Sequence, residues 1–158
     1  ARAPSDGARP VPVSLSGAGG TILGRIQPGD SLSVLLSEAL GASVTLAAST
    51  TVTMTDPSGG GSDTITIAGL FNGARSTGSN NYITPNNSSA AFATSPFALS
   101  GDRKTITVTV GPTCAGTACA GLGTSAAAGV SVLLAPTLVD ATGLAPTTTA
   151  RTITYRLF

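Results

Sequence analysis

Hydrophobic and polar residues alternate with a period of two along most of the chain, which is typical of half-buried β-strands. In "TITVTV", residues 105–110, Ile106, Val108 and Val110 share one face while threonines occupy the other. The apolar runs are short and bounded by Gly, Pro, Asn and Ser. They predict ten strands, at residues 11–15, 21–26, 31–36, 43–47, 51–55, 64–68, 90–93, 104–110, 130–134 and 148–157.

Two segments rich in glycine and proline predict tight turns between strands. "DPSGGGS", residues 56–62, separates two alternating runs, and its glycines tolerate positive φ, so we expect a β-hairpin there. In "IQPGDS", Pro28 and Gly29 stand at the two central positions of a type II turn.

Two other segments allow alternative structures. "SVLLSEALGA", residues 33–42, places leucines at helical spacing before Gly41, so it is either a helix or a strand that runs into a loop. Residues 70–96 are rich in Asn, Ser and Gly, which fits a long polar loop or paired short strands.

The pattern as a whole predicts an all-β chain, folded as a single β-sandwich of Ig-like or jelly-roll type with an N-terminal extension strand. Residues 1–20 form the extension and candidate donor strand, and residues 21–158 form the sandwich domain. A domain of this length buries roughly 70% of the surface that its unfolded chain exposes, which allows one core of useful size.

The low charge of the chain limits the kinds of partner that it can bind. Only 9% of the residues are charged, against roughly 25% in ordinary soluble domains. The net charge is +1 and no basic stripe is present, so we expect no nucleic acid partner. A nearly neutral surface also repels its own copies weakly, which favours self-association. The longest apolar runs fall short of the ~18 residues of a membrane-spanning helix, so none is expected.

The two cysteines, Cys114 and Cys119, are separated by four residues in "PTCAGTACAG". The chain has no histidine to complete a metal site, so a disulfide that closes a small loop is the preferred interpretation over two unpaired thiols. A disulfide indicates an oxidising compartment. The first residues, "ARAPSDGARP", resemble a mature terminus exposed after export, which predicts a secreted or cell-surface protein.

Residue content argues against catalysis. Without histidine, Ser-His-Asp and Cys-His systems are impossible, and the chain holds one glutamate, Glu38, and one lysine, Lys104. The aspartates are scattered through turn segments and do not predict a carboxylate pair. We therefore expect no enzyme and no cofactor.

Three weaker chemical signals remain. Asp56 and Asp63 flank the glycine-rich hairpin and suggest calcium, but their spacing matches no known calcium loop, so turn-forming aspartates and no metal are the preferred interpretation. Lys104 with Glu38 suggests the Lys–Asn crosslink of some pilin modules, although an exposed Lys104 is the stronger expectation. Asn86 and Asn87 begin two overlapping sequons, which accept N-linked glycans only where that machinery exists, and an unmodified polar loop is the preferred interpretation.

The N-terminal segment "RPVPVSLSG", residues 9–17, alternates Val11, Val13 and Leu15 with polar or proline positions. Pro10 and Pro12 lack an amide hydrogen, so this segment cannot be a central strand and is expected at a sheet edge. The edge belongs either to the same molecule or to a neighbouring copy. Glycines at 17, 19 and 20 suggest a hinge that would let the strand reach a neighbour.

In layout, residues 9–20 and the β character of the remainder resemble subunits of extracellular filaments that assemble by donor-strand exchange. The late, closely spaced cysteines differ from the wider, earlier disulfide usual in chaperone–usher pilins, so the resemblance implies no particular assembly machinery.

The resemblance implies a structural subunit that forms a head-to-tail homopolymer, with Val11, Val13 and Leu15 at the subunit interface. The alternatives are a monomeric extracellular adhesion or carbohydrate-binding module with surface glycans as partners, or a component of an S-layer or virion shell. With no Trp and only two Tyr and four Phe, the chain has few aromatic platforms for sugars.

Overall fold

The computed structural model describes residues 7–158, and these form an all-β fold without helices. The ten strands are β1 Pro12–Ser16, β2 Ser31–Leu36, β3 Ser49–Thr55, β4 Thr64–Ile67, β5 Arg75–Ser76, β6 Ser89–Leu99, β7 Thr105–Thr109, β8 Cys114–Ala115, β9 Ala128–Val132 and β10 Arg151–Tyr155. The described residues contain no helix that is long and apolar enough to cross a membrane.

Eight strands form one curled antiparallel sheet in the order β1-β2-β7-β6-β3-β4-β5, with β8 paired to β6 outside this path. Strands β9 and β10 form a second, two-stranded sheet. In this second sheet, β10 lies beside β1 and β9 lies beside β5, so it bridges the two ends of the large sheet. The result is one enclosed core, as predicted for a single β-sandwich.

Alternation along the strands builds that core. On β2, β4 and β7 every second side chain is buried, as are Val52 and Met54 of β3, and most of the intervening side chains are Ser or Thr on the outer face. The main contributors are Leu32, Val34, Val52, Met54, Ile65, Ile67, Ile106, Val108, Val130 and Val132. Phe92 and Tyr82 are the largest of the fully buried side chains in this core.

Both predicted turns are confirmed. The amide of Asp30 donates to the carbonyl of Gln27, and Gly29 has a φ of 90°, as a type II turn requires. Strands β3 and β4 form the expected hairpin, in which Gly59 and Gly60 have positive φ. Residues 31–36 form a strand and not a helix, because their side chains alternate between core and surface.

Two predicted strands, 21–26 and 43–47, are wrong. The first segment has loop contacts and no strand ladder, since the Gln27 side chain accepts the amide of Ile22. Its long-range bonds are at Gly24, which donates to the carbonyl of Phe158 and accepts the amide of Ser125. In the second, the Arg103 guanidinium donates to the carbonyls of Gly41 and Val44 and holds the chain as a loop. The two-residue strands β5 and β8 were not predicted, because so short a run carries no period.

Candidate functional site

Strand β1, the candidate donor strand, pairs with its own chain. It lies antiparallel to β2, with Leu15 opposite Val34 and Ser16 opposite Ser33. It is the terminal strand of the large sheet and has a strand ladder on one side only. On its other side β10 lies close by, and the Arg151 guanidinium donates to the carbonyl of Pro12 at 3.0 Å. The structure therefore places β1 as an edge strand within one molecule.

A register shift in β1 separates the three predicted interface residues. Pro12 lies opposite Leu36 and Ser14 opposite Leu35, which leaves Val13 as an extra, unpaired residue. Such a bulge turns every earlier side chain to the opposite face. As a result Leu15 is buried at 6% exposure, Val13 is exposed at 42% and Val11 is intermediate. The expectation that all three share one buried face is corrected.

Before the bulge, the side chains on the inner face of this segment are prolines and not the predicted valines. Pro10 and Pro12 are both buried, and neither has an amide hydrogen to leave unpaired there. The amide of Val11 donates to the hydroxyl of Ser37, and the amide of Ser37 donates to the carbonyl of Val11. The segment before the bulge is thus anchored to the end of β2 by its own backbone.

The connection between β1 and β2, residues 17–30, is closely packed. A Cβ at Gly17 would collide with the carbonyl oxygen of Ser31, and one at Gly20 would approach the side chains of Asp30 and Gln27. Asp30 is fully buried and accepts the amides of Gly20 and Gln27. Burial raises the pKa of the Asp30 carboxyl, against the lowering effect of these two hydrogen bonds. These glycines therefore serve close packing in this structure.

Exposed apolar side chains are concentrated around the same region. Among residues 7–158, the large hydrophobic side chains that are exposed are Val13, Ile22, Leu23 and Leu35. All four belong to β1, to β2 or to the connection between them, and Leu23 is the most exposed at 63%. Exposed apolar side chains that form a contiguous patch commonly mark an interaction site, whereas single exposed ones are ordinary.

A second candidate region is an open groove of about 820 Å³ near the start of β3. Its apolar lining includes Val44, Leu46, Phe97 and Leu138, and threonines such as Thr94 add hydroxyl groups. The described residues that line it are all uncharged. The groove therefore suits an uncharged ligand and offers no group for acid–base chemistry.

The remaining sequence candidates are spread over the surface. Cys114 and Cys119 form a disulfide with their Cα atoms 5.8 Å apart, as predicted, which is typical of proteins outside the reducing cytosol. Asn86 and Asn87 are exposed on the loop that precedes β6. Lys104 is exposed at the start of β7, as expected, which argues against a buried crosslink.

Asp56 and Asp63 correct the expectation of turn-forming aspartates. Thr55 pairs with Thr64 in the last rung of the β3–β4 hairpin, so the next residues, Asp56 and Asp63, stand opposite each other. They continue the inward-facing stripe of Met54 and are 6% and 0% exposed. Oδ2 of Asp63 accepts the amides of Tyr82 and Ile83, outside its own turn, at 2.8 and 3.1 Å.

These two aspartates are the centre of a row of polar residues, which we call the polar row: Ser88, Asp56, Asp63 and Thr77. The amide of Asp56 donates to the carbonyl of Ser88, and the amide of Thr77 donates to the carbonyl of Asp63. All four residues are buried. The row crosses the continuations of β6, β3, β4 and β5 at one end of the core.

Oδ1 of Asp63 is a buried oxygen without a hydrogen-bond partner in residues 7–158. Burial raises the pKa of the Asp63 carboxyl, the bonds from Ile83 and Tyr82 lower it by less, and the nearby charge of Asp56 raises it further. The sequence did contain a signal for this pair: both aspartates keep the parity of the apolar residues in their strands.

No protein-family model, curated protein or solved structure matches the chain. The fold and its chemistry define the class, an all-β module with a disulfide. Within residues 7–158, its exposed large hydrophobic side chains lie on β1, β2 and their connection.

Proposed function

We propose that the protein is a non-catalytic structural subunit of a secreted or cell-surface filament, in which β1 is exchanged between neighbouring copies. The observation that supports this proposal is the location of the exposed large hydrophobic side chains, Val13, Ile22, Leu23 and Leu35, on β1, β2 and their connection. In a filament these side chains would be covered by the adjoining subunit.

Exchange would use the pairing already present in one molecule. The β2 edge that accepts β1 in the same chain presents the same backbone groups to β1 of another chain, which is the basis of strand swapping. A reciprocal exchange between two copies closes as a dimer. When each copy gives its strand to one neighbour and receives a strand from another, the contact does not close and propagates head to tail. Opening the closed monomer requires release of Leu15 and of the Asp30 contacts to the connecting loop.

The test uses the rung in which Ser16 lies opposite Ser33. One chain carries Ser16→Cys, and a second chain of different size, enlarged by a tag, carries Ser33→Cys. The two are mixed, incubated and oxidised mildly. Strand exchange predicts a disulfide-linked heterodimer on non-reducing gels and filaments by negative-stain electron microscopy.

The matched control replaces Ser33→Cys by Ser58→Cys, an exposed position in the hairpin turn far along the chain from β1. This pair measures disulfides that arise from random collision. Heterodimer yields equal to this background, with dispersed single particles at high concentration, would contradict strand exchange.

The second candidate is a monomeric extracellular adhesion or carbohydrate-binding module. It is favoured by a specific observation, the seating of Leu15 and Pro12 in the sheet of their own chain. In that case the double variant Ser16→Cys/Ser33→Cys forms only an intramolecular disulfide, and the uncharged groove becomes the first surface to probe with glycans.

A further inference from the structure

The polar row places two carboxylates face to face inside the core. Residues directly opposite on antiparallel strands have Cβ atoms about 4.5–5.5 Å apart, and like charges in that position destabilise the pair. None of the hydrogen bonds formed by residues 7–158 involves the Asp56 carboxylate, and Oδ1 of Asp63 has no partner either. Two buried acids therefore face each other, and the described chain supplies hydrogen-bond donors only to Oδ2 of Asp63.

A buried oxygen that lacks a partner calls for a ligand, because desolvation of a carboxylate is costly when nothing replaces water. The Asp63 carboxylate is fixed in position by hydrogen bonds, as a ligand group should be. Its Oδ2 is fixed by two backbone amides, which leaves Oδ1 as the atom that is available. Asp56 lies at the turn end of the hairpin and retains slight exposure, 6%, which gives the site contact with solvent.

We propose that Asp56 and Asp63 bind a hard divalent cation, with Oδ1 of Asp63 and the Asp56 carboxylate as protein ligands. The available donors in the polar row are all oxygens, which favours Ca²⁺ or Mg²⁺ over Zn²⁺ or copper. The adaptable coordination of Ca²⁺ suits two opposed carboxylates better than the strict octahedron of Mg²⁺. The proposal does not depend on strand exchange.

Two carboxylates make this a weak site. No group of three or more Asp, Glu, His or Cys side chains suited to a metal occurs in the described part of the chain, so water must complete the coordination. Dissociation constants of roughly 10⁻⁴–10⁻³ M are typical of extracellular calcium modules, and we expect a value in that range. At a Ca²⁺ concentration ten times the dissociation constant, the unfolding equilibrium constant should fall about tenfold.

The experiment compares thermal unfolding of the full chain in EDTA, in CaCl₂ and in MgCl₂, together with Ca²⁺ binding by equilibrium dialysis. We expect Ca²⁺ to raise the unfolding midpoint by several degrees, as a tenfold shift implies for a domain of this size. In the variant Asp56→Asn the repulsion between carboxylates is removed. We expect it to unfold in EDTA at the wild-type temperature or above, and to lose the response to Ca²⁺.

Asp102→Asn is the matched control, because Asp102 is an exposed carboxylate on the β6–β7 loop and lies outside the polar row. It should keep the full response to Ca²⁺. A response to Mg²⁺ in addition to, or in place of, Ca²⁺ also supports an oxygen site, provided that Asp56→Asn abolishes it.

Two results would overturn the proposal. One is a wild-type protein that neither binds Ca²⁺ or Mg²⁺ nor changes its midpoint at 10 mM, on the order of ten times the expected dissociation constant. In that case the two carboxylates share a proton, and the midpoint rises on acidification alone. The other is an Asp56→Asn variant that folds and retains the cation response, which would locate binding elsewhere.

Discussion

The central strand β3 and the terminal strand β1 both come from alternating sequence but are attached to the fold very differently. Strand β3 has neighbours on both sides, β4 and β6, and its inward residues Val52 and Met54 are fully buried. Strand β1 pairs with β2 alone. A bulge at Val13 reverses which side chains point to the core before and after it. Alternation predicts that a strand exists, whereas the number of paired edges decides how strongly it is held.

The bulge also shows why prolines are tolerated in β1. Before the bulge the buried positions are Pro10 and Pro12, which contribute apolar surface but no amide donor. After it, Leu15 resumes the ordinary inward position. The terminal segment is thus attached to the sheet by the buried side chains of two prolines and one leucine. This attachment is weaker than that of a central strand, which pairs along both edges.

The largest expected effect is on the central sheet. Phe92 on β6 is fully buried and lies opposite both Val52 and Cys114. Phe92→Ala should lower the free energy of unfolding by about 3–5 kcal/mol, because it removes a buried ring and leaves a cavity. Urea denaturation measures the loss. The exposed position Ala98, on the same strand, provides the control: Ala98→Ser should change stability by no more than about 0.5 kcal/mol.

The corresponding change on the terminal strand should cost less. Leu15→Ala should lower the free energy of unfolding by about 2 kcal/mol, the lower end of the usual range, because an edge position can relax around the missing side chain. Val13→Ala, at the exposed bulge, should change it by no more than about 0.5 kcal/mol. Equal losses at these two positions, again measured by urea denaturation, would mean that the bulge is absent in solution.

Removing the disulfide tests a local anchor on the central strand β6. Strand β8 contains Cys114 and pairs with β6. For a loop this small, the chain-entropy model predicts a loss of about 2 kcal/mol in the double variant Cys114→Ser/Cys119→Ser. Comparing its thermal unfolding with that of the reduced wild type separates loss of the bond from the effect of the new serines. Unchanged stability in both would show that β8 contributes no constraint.

The smallest effect concerns pH at the connection between β1 and β2. The pKa of Asp30 is raised above 3.8 by burial, so in the window above 3.8 the folded chain binds more protons than the unfolded chain. Its contribution to stability is therefore present below that window and is lost as the pH rises through the folded pKa. Asp30→Asn lacks this titration, so its stability deficit relative to wild type should be smaller at pH 7 than at pH 3.

Unfolding free energies of both proteins, measured from pH 3 to pH 7, check this sign. Other carboxyls, such as Asp102, whose pKa is lowered by hydrogen bonds from Ser100 and Lys104, titrate equally in both proteins and cancel in the difference. A deficit that stays constant across the range would contradict a raised pKa at Asp30.

Much of the fold could be predicted because local signals agreed with the tertiary structure. The alternating run at β7 and the glycines of the β3–β4 hairpin each specify one local structure, and the structure has it. The two wrong strands, 21–26 and 43–47, lie where groups distant in sequence bind the backbone. Residues 43–47 have the sequence pattern of a strand. However, the guanidinium of Arg103, some 60 residues away along the chain, donates a hydrogen bond to the carbonyl of Val44. No window of local sequence contains that contact.

The candidate sites divide in the same way. The disulfide was predictable because two cysteines in a chain without other partners leave one pairing. The burial of Asp56 and Asp63 was not recognised, because a turn explains aspartates as readily as a core does. The two aspartates lie two residues from Met54 and Ile65, so the strand period places them on the same inward face. Only the tertiary structure shows that this end of the hairpin is covered and the aspartates are buried.

By itself the sequence determined that the chain is β-rich, where its tight turns lie and that its two cysteines pair, since these depend on residues close together along the chain. Only the tertiary structure decided that β1 lies on its own sheet, that a bulge turns Val13 outward and that two aspartates meet inside the core. The physical reason is that facing and burial depend on register between strands that are distant in sequence, and a shift of one residue reverses every side chain.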